Sequence, residues 1–193
     1  SFVGSINNQS FTNETAYQAT LSILSALEDK KQIGLGKNTE LTKDLYEDVH
    51  KLIYKYDYDV SSVIEATKGA IDQASSDKTL KDVKLLAFED DDGKYITTNQ
   101  KLASGAYDNE LDVNTKTTHS IDQEFWGEIN GNGIKHESTY SMAEYFIENI
   151  ENKKKITIED QAFTYDLINA ITILQNTGVS QESIETATMD HID

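Results

Sequence analysis

Carboxylates are the best-supplied chemical groups in this sequence, with 34 Asp and Glu among 193 residues. Cleaving a glycosidic bond needs two of them facing it, one protonated and one ionised. Glu124, Glu128 and Glu137 lie near Phe125, Trp126 and Tyr140 in the sequence. Aromatic faces there could stack on sugar rings, and burial could raise a carboxyl pKa. Glu137 and Glu128 are therefore the catalytic candidates of a carboxylate hydrolase acting on glycans. Glu137-Ser138 also resembles the catalytic Glu-Ser of lytic transglycosylases, but in those two residues only. The glycine-rich stretch that follows in that family is absent here. A half-buried strand with a core tryptophan and outward glutamates accounts for the same residues without catalysis, and we adopt that reading.

A second use for carboxylates is a hard cation. Glu89-Asp90-Asp91-Asp92-Gly93 places four in one turn, which makes Asp90, Asp91 and Asp92 candidate calcium ligands. An EF-hand with Gly93 as its fixed glycine would put Phe88 first and Asn99 last, and neither residue can ligate as that loop requires. A solvated hairpin tip explains the run and is the reading adopted. Calcium is the one cofactor the residues suggest, and nothing demands it. The histidines, His50, His119, His136 and His191, lack zinc spacing; His136-Glu137 opens like a zincin, but Tyr140 stands where the second histidine belongs. Gly34-Leu35-Gly36-Lys37-Asn38-Thr39 lacks the upstream glycine of a phosphate loop, and Asn38 replaces the hydroxyl residue after the lysine.

Aromatic residues are the other resource. The chain has ten Tyr and one Trp, and Tyr54, Tyr56 and Tyr58 alternate with Lys55, Asp57 and Asp59. Tyrosine suits interfaces, where it brings contact area at low entropic cost. Tyr54, Tyr58, Trp126 and Tyr140 are the candidate binding residues.

Composition excludes several classes. All 17 basic residues are lysine, and the net charge is −17. A nucleic-acid partner is not expected, because there is neither a basic footprint to displace counterions nor a guanidinium fork. There is no cysteine, so disulfides, thiol nucleophiles and cysteine-ligated metals are impossible. Proline is absent too, and with the wealth of Lys, Asn and Ile this matches the bias of a low-GC bacterial genome. No window approaches the ~20 apolar residues of a membrane span. The sequence as given begins Ser1-Phe2-Val3 without a basic region followed by an apolar stretch. A secreted or cell-surface location is the expectation.

Positioning these residues falls mainly to helices. Tyr17, Leu21, Leu24 and Leu27 recur at helical spacing after a loose polar N-terminus. Asn38 is an N-cap ahead of Leu41, Leu45, Val49 and Leu52, and a third helix carries Val60, Val63, Ile64 and Ile71. Val83–Phe88 and Tyr95–Thr98 read as strands of a hairpin, as do Phe125–Ile129 and Ile134–Tyr140 around Asn130-Gly131-Asn132-Gly133. Helices resume at a Ser141/Glu144 capping box, at Thr157–Asp160 with a stripe of Phe163, Leu167, Ala170, Ile171 and Leu174, and at Ser180. The expected fold is α+β and helix-dominated, with about six helices and a small antiparallel sheet of hairpins in the middle of the chain. It is read as one domain, 1–193, with helical (13–77), sheet (80–140) and helical (141–190) subregions. The function expected is a non-enzymatic acidic interaction domain that binds a protein or a surface polymer. The glycan hydrolase is the first alternative and a calcium-binding structural module the second.

Overall fold

The computed structural model describes residues 1–85 and 96–193. Among the described residues, seven α-helices and two small antiparallel sheets make a helix-dominated α+β fold. The chain divides into two compact units, Phe2–Gln123 and Glu124–Asp193. Among the described residues, no helix is long and apolar enough to cross a membrane.

The N-terminal unit begins with strands β1 (Val3–Ile6) and β2 (Gln9–Phe11), where a loose end was expected. The turn between them places both Asn7 and Asn8 at positive φ (51° and 66°), as a two-residue hairpin turn of type I′ requires. Asparagine tolerates that region better than most residues. Strand β3 (His119–Gln123) pairs with the other edge of β1, giving the order β2-β1-β3. Helices α1 (Glu14–Lys31), α2 (Thr39–Tyr54) and α3 (Val60–Gln73) follow. Asn13, Asn38 and Asp59 cap them, each accepting from a first-turn backbone N–H, which satisfies a donor the helix cannot. The buried residues of these helices, including Tyr17, Leu24, Leu27, Leu41, Leu45, Leu52 and Val63, join Phe2, Ile6 and Tyr107 in one core.

The first expected hairpin is corrected where it is described. Val83–Leu85 are not in a strand, and Thr97 and Thr98 open a seventh helix, α4 (Thr97–Ser104). Local periodicity could not show this, because the partner that fixes the helix start is distant. Buried Asp48 on α2 accepts both the Thr98 backbone N–H (2.7 Å) and its hydroxyl. Lys101 on α4 reaches Glu40 and Asp44 on α2 at 2.8 and 2.9 Å, and the Tyr107 hydroxyl donates to Asp44 at 2.7 Å.

Burial raises the Asp48 pKa against the opposing pull of the two Thr98 bonds. An acid whose folded pKa is raised costs stability above that pKa, and the cost is relieved as pH falls. Asp48→Asn keeps an acceptor for Thr98 and removes the buried charge. It is expected to fall within about 1 kcal/mol of the parent in urea unfolding at pH 7, whereas Asp48→Ala, which orphans a buried N–H, should lose about 1–3 kcal/mol. Equal losses for the two would show that the charge, not the acceptor, holds α4.

The C-terminal unit contains a hairpin of β4 (Gly127–Ile129) and β5 (Asn132–Ile134), followed by α5 (Glu137–Lys154), α6 (Gln161–Asn176) and α7 (Gln181–Ile192). Asp160 and Ser180 cap α6 and α7 as their positions suggest. The start of α5 differs from the expectation. It begins at Glu137, one turn before the Ser141/Glu144 box, with His136 as an N-cap that makes no side-chain bond. Tertiary contacts hold that extra turn: buried Thr139 donates to Gln175 Oε1 on α6 at 2.7 Å, and Gln175 donates back to Ser138 at 3.1 Å. The core here is small: Met142, Ala143, Phe146, Ile171 and Ile184.

Candidate functional site

The hairpin of the C-terminal unit pairs Gly127 with Ile134 and Glu128 with Gly133. Side chains alternate along a strand, so Trp126 and Glu128 share one face and Gly127 takes the other. The Trp126 indole lies across Gly133: a Cβ there would come within 2.5 Å of the ring. Only a residue without a side chain lets the ring come this close. Trp126 is nevertheless 61% exposed, so it is a surface ring and not the core residue expected. Tyr140 is half-buried on the opposite face, its ring against Gly127 and 5.4 Å from Phe125. The two candidate rings therefore do not form one stacking surface.

Glu128 is exposed beside Trp126, and Glu137 is an exposed first-turn residue of α5. The carboxyl that burial pushes up, Asp48, is occupied by Thr98 instead. Asp90, Asp91 and Asp92 lie outside the described residues. Among the described residues, no group of three or more His, Asp or Glu could hold a metal ion.

In the N-terminal unit, Tyr54 is exposed at the end of an aromatic row along α2. Tyr46, His50 and Tyr54 recur every fourth residue, with Tyr46–His50 and His50–Tyr54 centroids at 6.2 and 4.6 Å, and Phe11 packs on Tyr46 at 4.2 Å. Asn13 organises the row: its backbone N–H donates to the Tyr46 hydroxyl and its side-chain amide to that of Tyr54. Since Asn13 also caps α1, this row joins two helices. Tyr58 is half-buried against the core.

The most exposed apolar surface was missed from the sequence. On α6, Thr164 and Ile171 are buried, and Leu167 and Ile168 are half-buried against the small core. At 100° per residue, Ala162, Phe163, Ala170, Ile173 and Leu174 fall in one arc that runs from the edge of the buried side to the opposite side, and all five are exposed, Ile173 at 62%. Of the stripe expected at helical spacing, Leu167 and Ile171 meet the core, and Phe163, Ala170 and Leu174 are exposed. The available signal was Ile173, which falls off that stripe: a helix apolar on more than one side has more to cover than one neighbour can bury.

The chain matches no protein-family model, no curated protein and no solved structure.

Proposed function

We propose that this chain is a non-enzymatic acidic interaction module, secreted or displayed at a cell surface, that binds another protein. The observation that supports this is the exposed apolar arc of α6, made by Ala162, Phe163, Ala170, Ile173 and Leu174. Exposed apolar patches rimmed by polar residues mark interaction sites. Trp126, exposed on its hairpin in the same unit, adds a residue type that interfaces favour. Glu128 and Glu137 serve here as solvated charge.

Two assays on the full chain test the reading. With peptidoglycan or chitin as substrate, no reducing ends should be released by the parent. Immobilised on a support, the parent should retain a surface-extract protein that Glu137→Gln still retains and Phe163→Ser/Ile173→Ser does not. Glycan turnover that Glu137→Gln abolishes would overturn the proposal in favour of a carboxylate hydrolase.

A further inference from the structure

Building on that interaction reading, we infer that the exposed face of α6 receives a basic amphipathic helix of a partner protein, with a partner lysine or arginine set against Asp166. Asp166 is exposed and sits within the apolar arc. It lies one helical turn from Ala162, Phe163 and Ala170 and two turns from Ile173. It is the one charged residue of α6. A partner that covered this face with apolar groups alone would strip water from that carboxylate and leave it unpaired, a costly outcome. A cation set within an apolar surface is the complement that compensates this carboxylate best.

The charge of the C-terminal segment points the same way. From Ile156 to Asp193 there are seven carboxylates, Asp166 among them, and no lysine or arginine. The arc from Ala162 to Leu174 runs for roughly 18 Å along the helix, about three turns of an α-helix laid beside it. An amphipathic helix in that position is a recurring recognition mode. A second copy of this chain is the wrong occupant. It carries the same carboxylates and a net charge of −17, and a twofold contact on this face would bring two Asp166 side chains toward each other. An anionic membrane is repelled for the same reason.

The test follows backbone amide resonances of the full chain during titration with a synthetic peptide of leucine and lysine, about 18 residues long so that it forms a helix, with its leucines on one face. A leucine–glutamate peptide of the same pattern is the control. Shifts from the lysine peptide should concentrate on Gln161–Thr177, and the glutamate peptide should cause none. Ile173→Ser/Leu174→Ser should weaken binding about tenfold or more, and Asp166→Asn about threefold, with a shallower salt dependence. Glu47→Gln, in the N-terminal unit, should leave affinity unchanged. Circular dichroism confirms that each variant is folded. Shifts spread over other acidic surfaces, equal binding of both peptides, or concentration-dependent dimerisation abolished by Ile173→Ser would each overturn the inference. If the peptide ignores α6 while the variant-sensitive capture above persists, the interaction reading stands with a partner of different chemistry. If both fail, both fall.

Discussion

Asp77→Ala/Asp82→Ala should destabilise the N-terminal unit clearly more than Lys31→Met does. The asymmetry follows from where the three charges sit. The Lys31 side chain is fully buried, while its partners Asp77 (2.8 Å) and Asp82 (2.7 Å) keep 59% and 39% of their side chains exposed. Removing both carboxylates takes away the two anions that compensate a buried side chain and leaves its ammonium near the Ser75 hydroxyl at 3.4 Å. Removing the ammonium leaves two carboxylates that water can solvate, and methionine refills the path of the lysine stem with apolar volume. Urea unfolding of the two variants measures the difference. Equal losses would mean that the lysine gains little from its partners.

The same cluster sets a pH window. Burial alone would raise the Asp82 carboxyl, but hydrogen bonds from Lys31 and the Ser75 backbone outweigh it and hold the pKa at about 2 against an ordinary 3.8. The Lys31 bond likewise lowers Asp77. A depressed carboxyl pKa contributes stability that is complete above its unfolded value and is lost as pH falls toward the folded one. The parent should therefore lose stability between about pH 4 and pH 2. The slope in that window should flatten in Lys31→Met, which lacks the donor responsible. Asp112, lowered to about 2 by Lys37, titrates over the same range and remains in both proteins, so the comparison isolates the Lys31 cluster.

What could be read in the sequence was what neighbours along the chain determine. Asn38 announced its helix because a cap acts three residues away, through the Leu41 N–H. The periods of Leu41, Leu45, Val49 and Leu52 and of Val63 and Ile71 located faces that are buried. Contacts across long sequence separations were not legible. Asp48 fixes the start of α4 from fifty residues away, and Gln175 steadies the first turn of α5 from α6. At the candidate site the limit was different in kind. Periodicity correctly found an apolar side on α6, but it could not say whether that side meets the core or solvent. Trp126 suits either a strand core or a binding surface by its type alone, and what decides is Gly133, opposite Glu128, which lets the ring pack close to the backbone while it stays exposed.

Gly34→Ala should cost about 3 kcal/mol, the upper end of what overpacking does, while Gly69→Ala should stabilise by about 0.5–1 kcal/mol. Gly34 and Gly36 first attract attention as fragments of a phosphate loop, and the structure assigns them another role. The Gly34 N–H donates to the Asp112 carbonyl at 3.1 Å and the Gly36 N–H to that of Thr115 at 2.8 Å. Glu28, buried behind them, takes the Leu35 and Thr117 N–H groups on one carboxylate oxygen, each at 2.9 Å. Two backbone segments are thus laid against each other at a spacing that excludes a side chain. A Cβ on Gly34 would sit 2.1 Å from the Thr115 carbonyl oxygen and 2.5 Å from that of Asp112. Both obstacles are backbone, so no rotamer change relieves the clash, and the 112–117 segment must lift away from Glu28. Gly69 lies in the interior of α3 with nothing within 4 Å of where its Cβ would be. Its alanine meets no obstacle and restricts only the unfolded chain. Denaturation midpoints of the two variants should therefore move in opposite directions. If Gly34→Ala is tolerated, the 112–117 segment can shift without loss, and these glycines need another explanation than the close passage of two backbones.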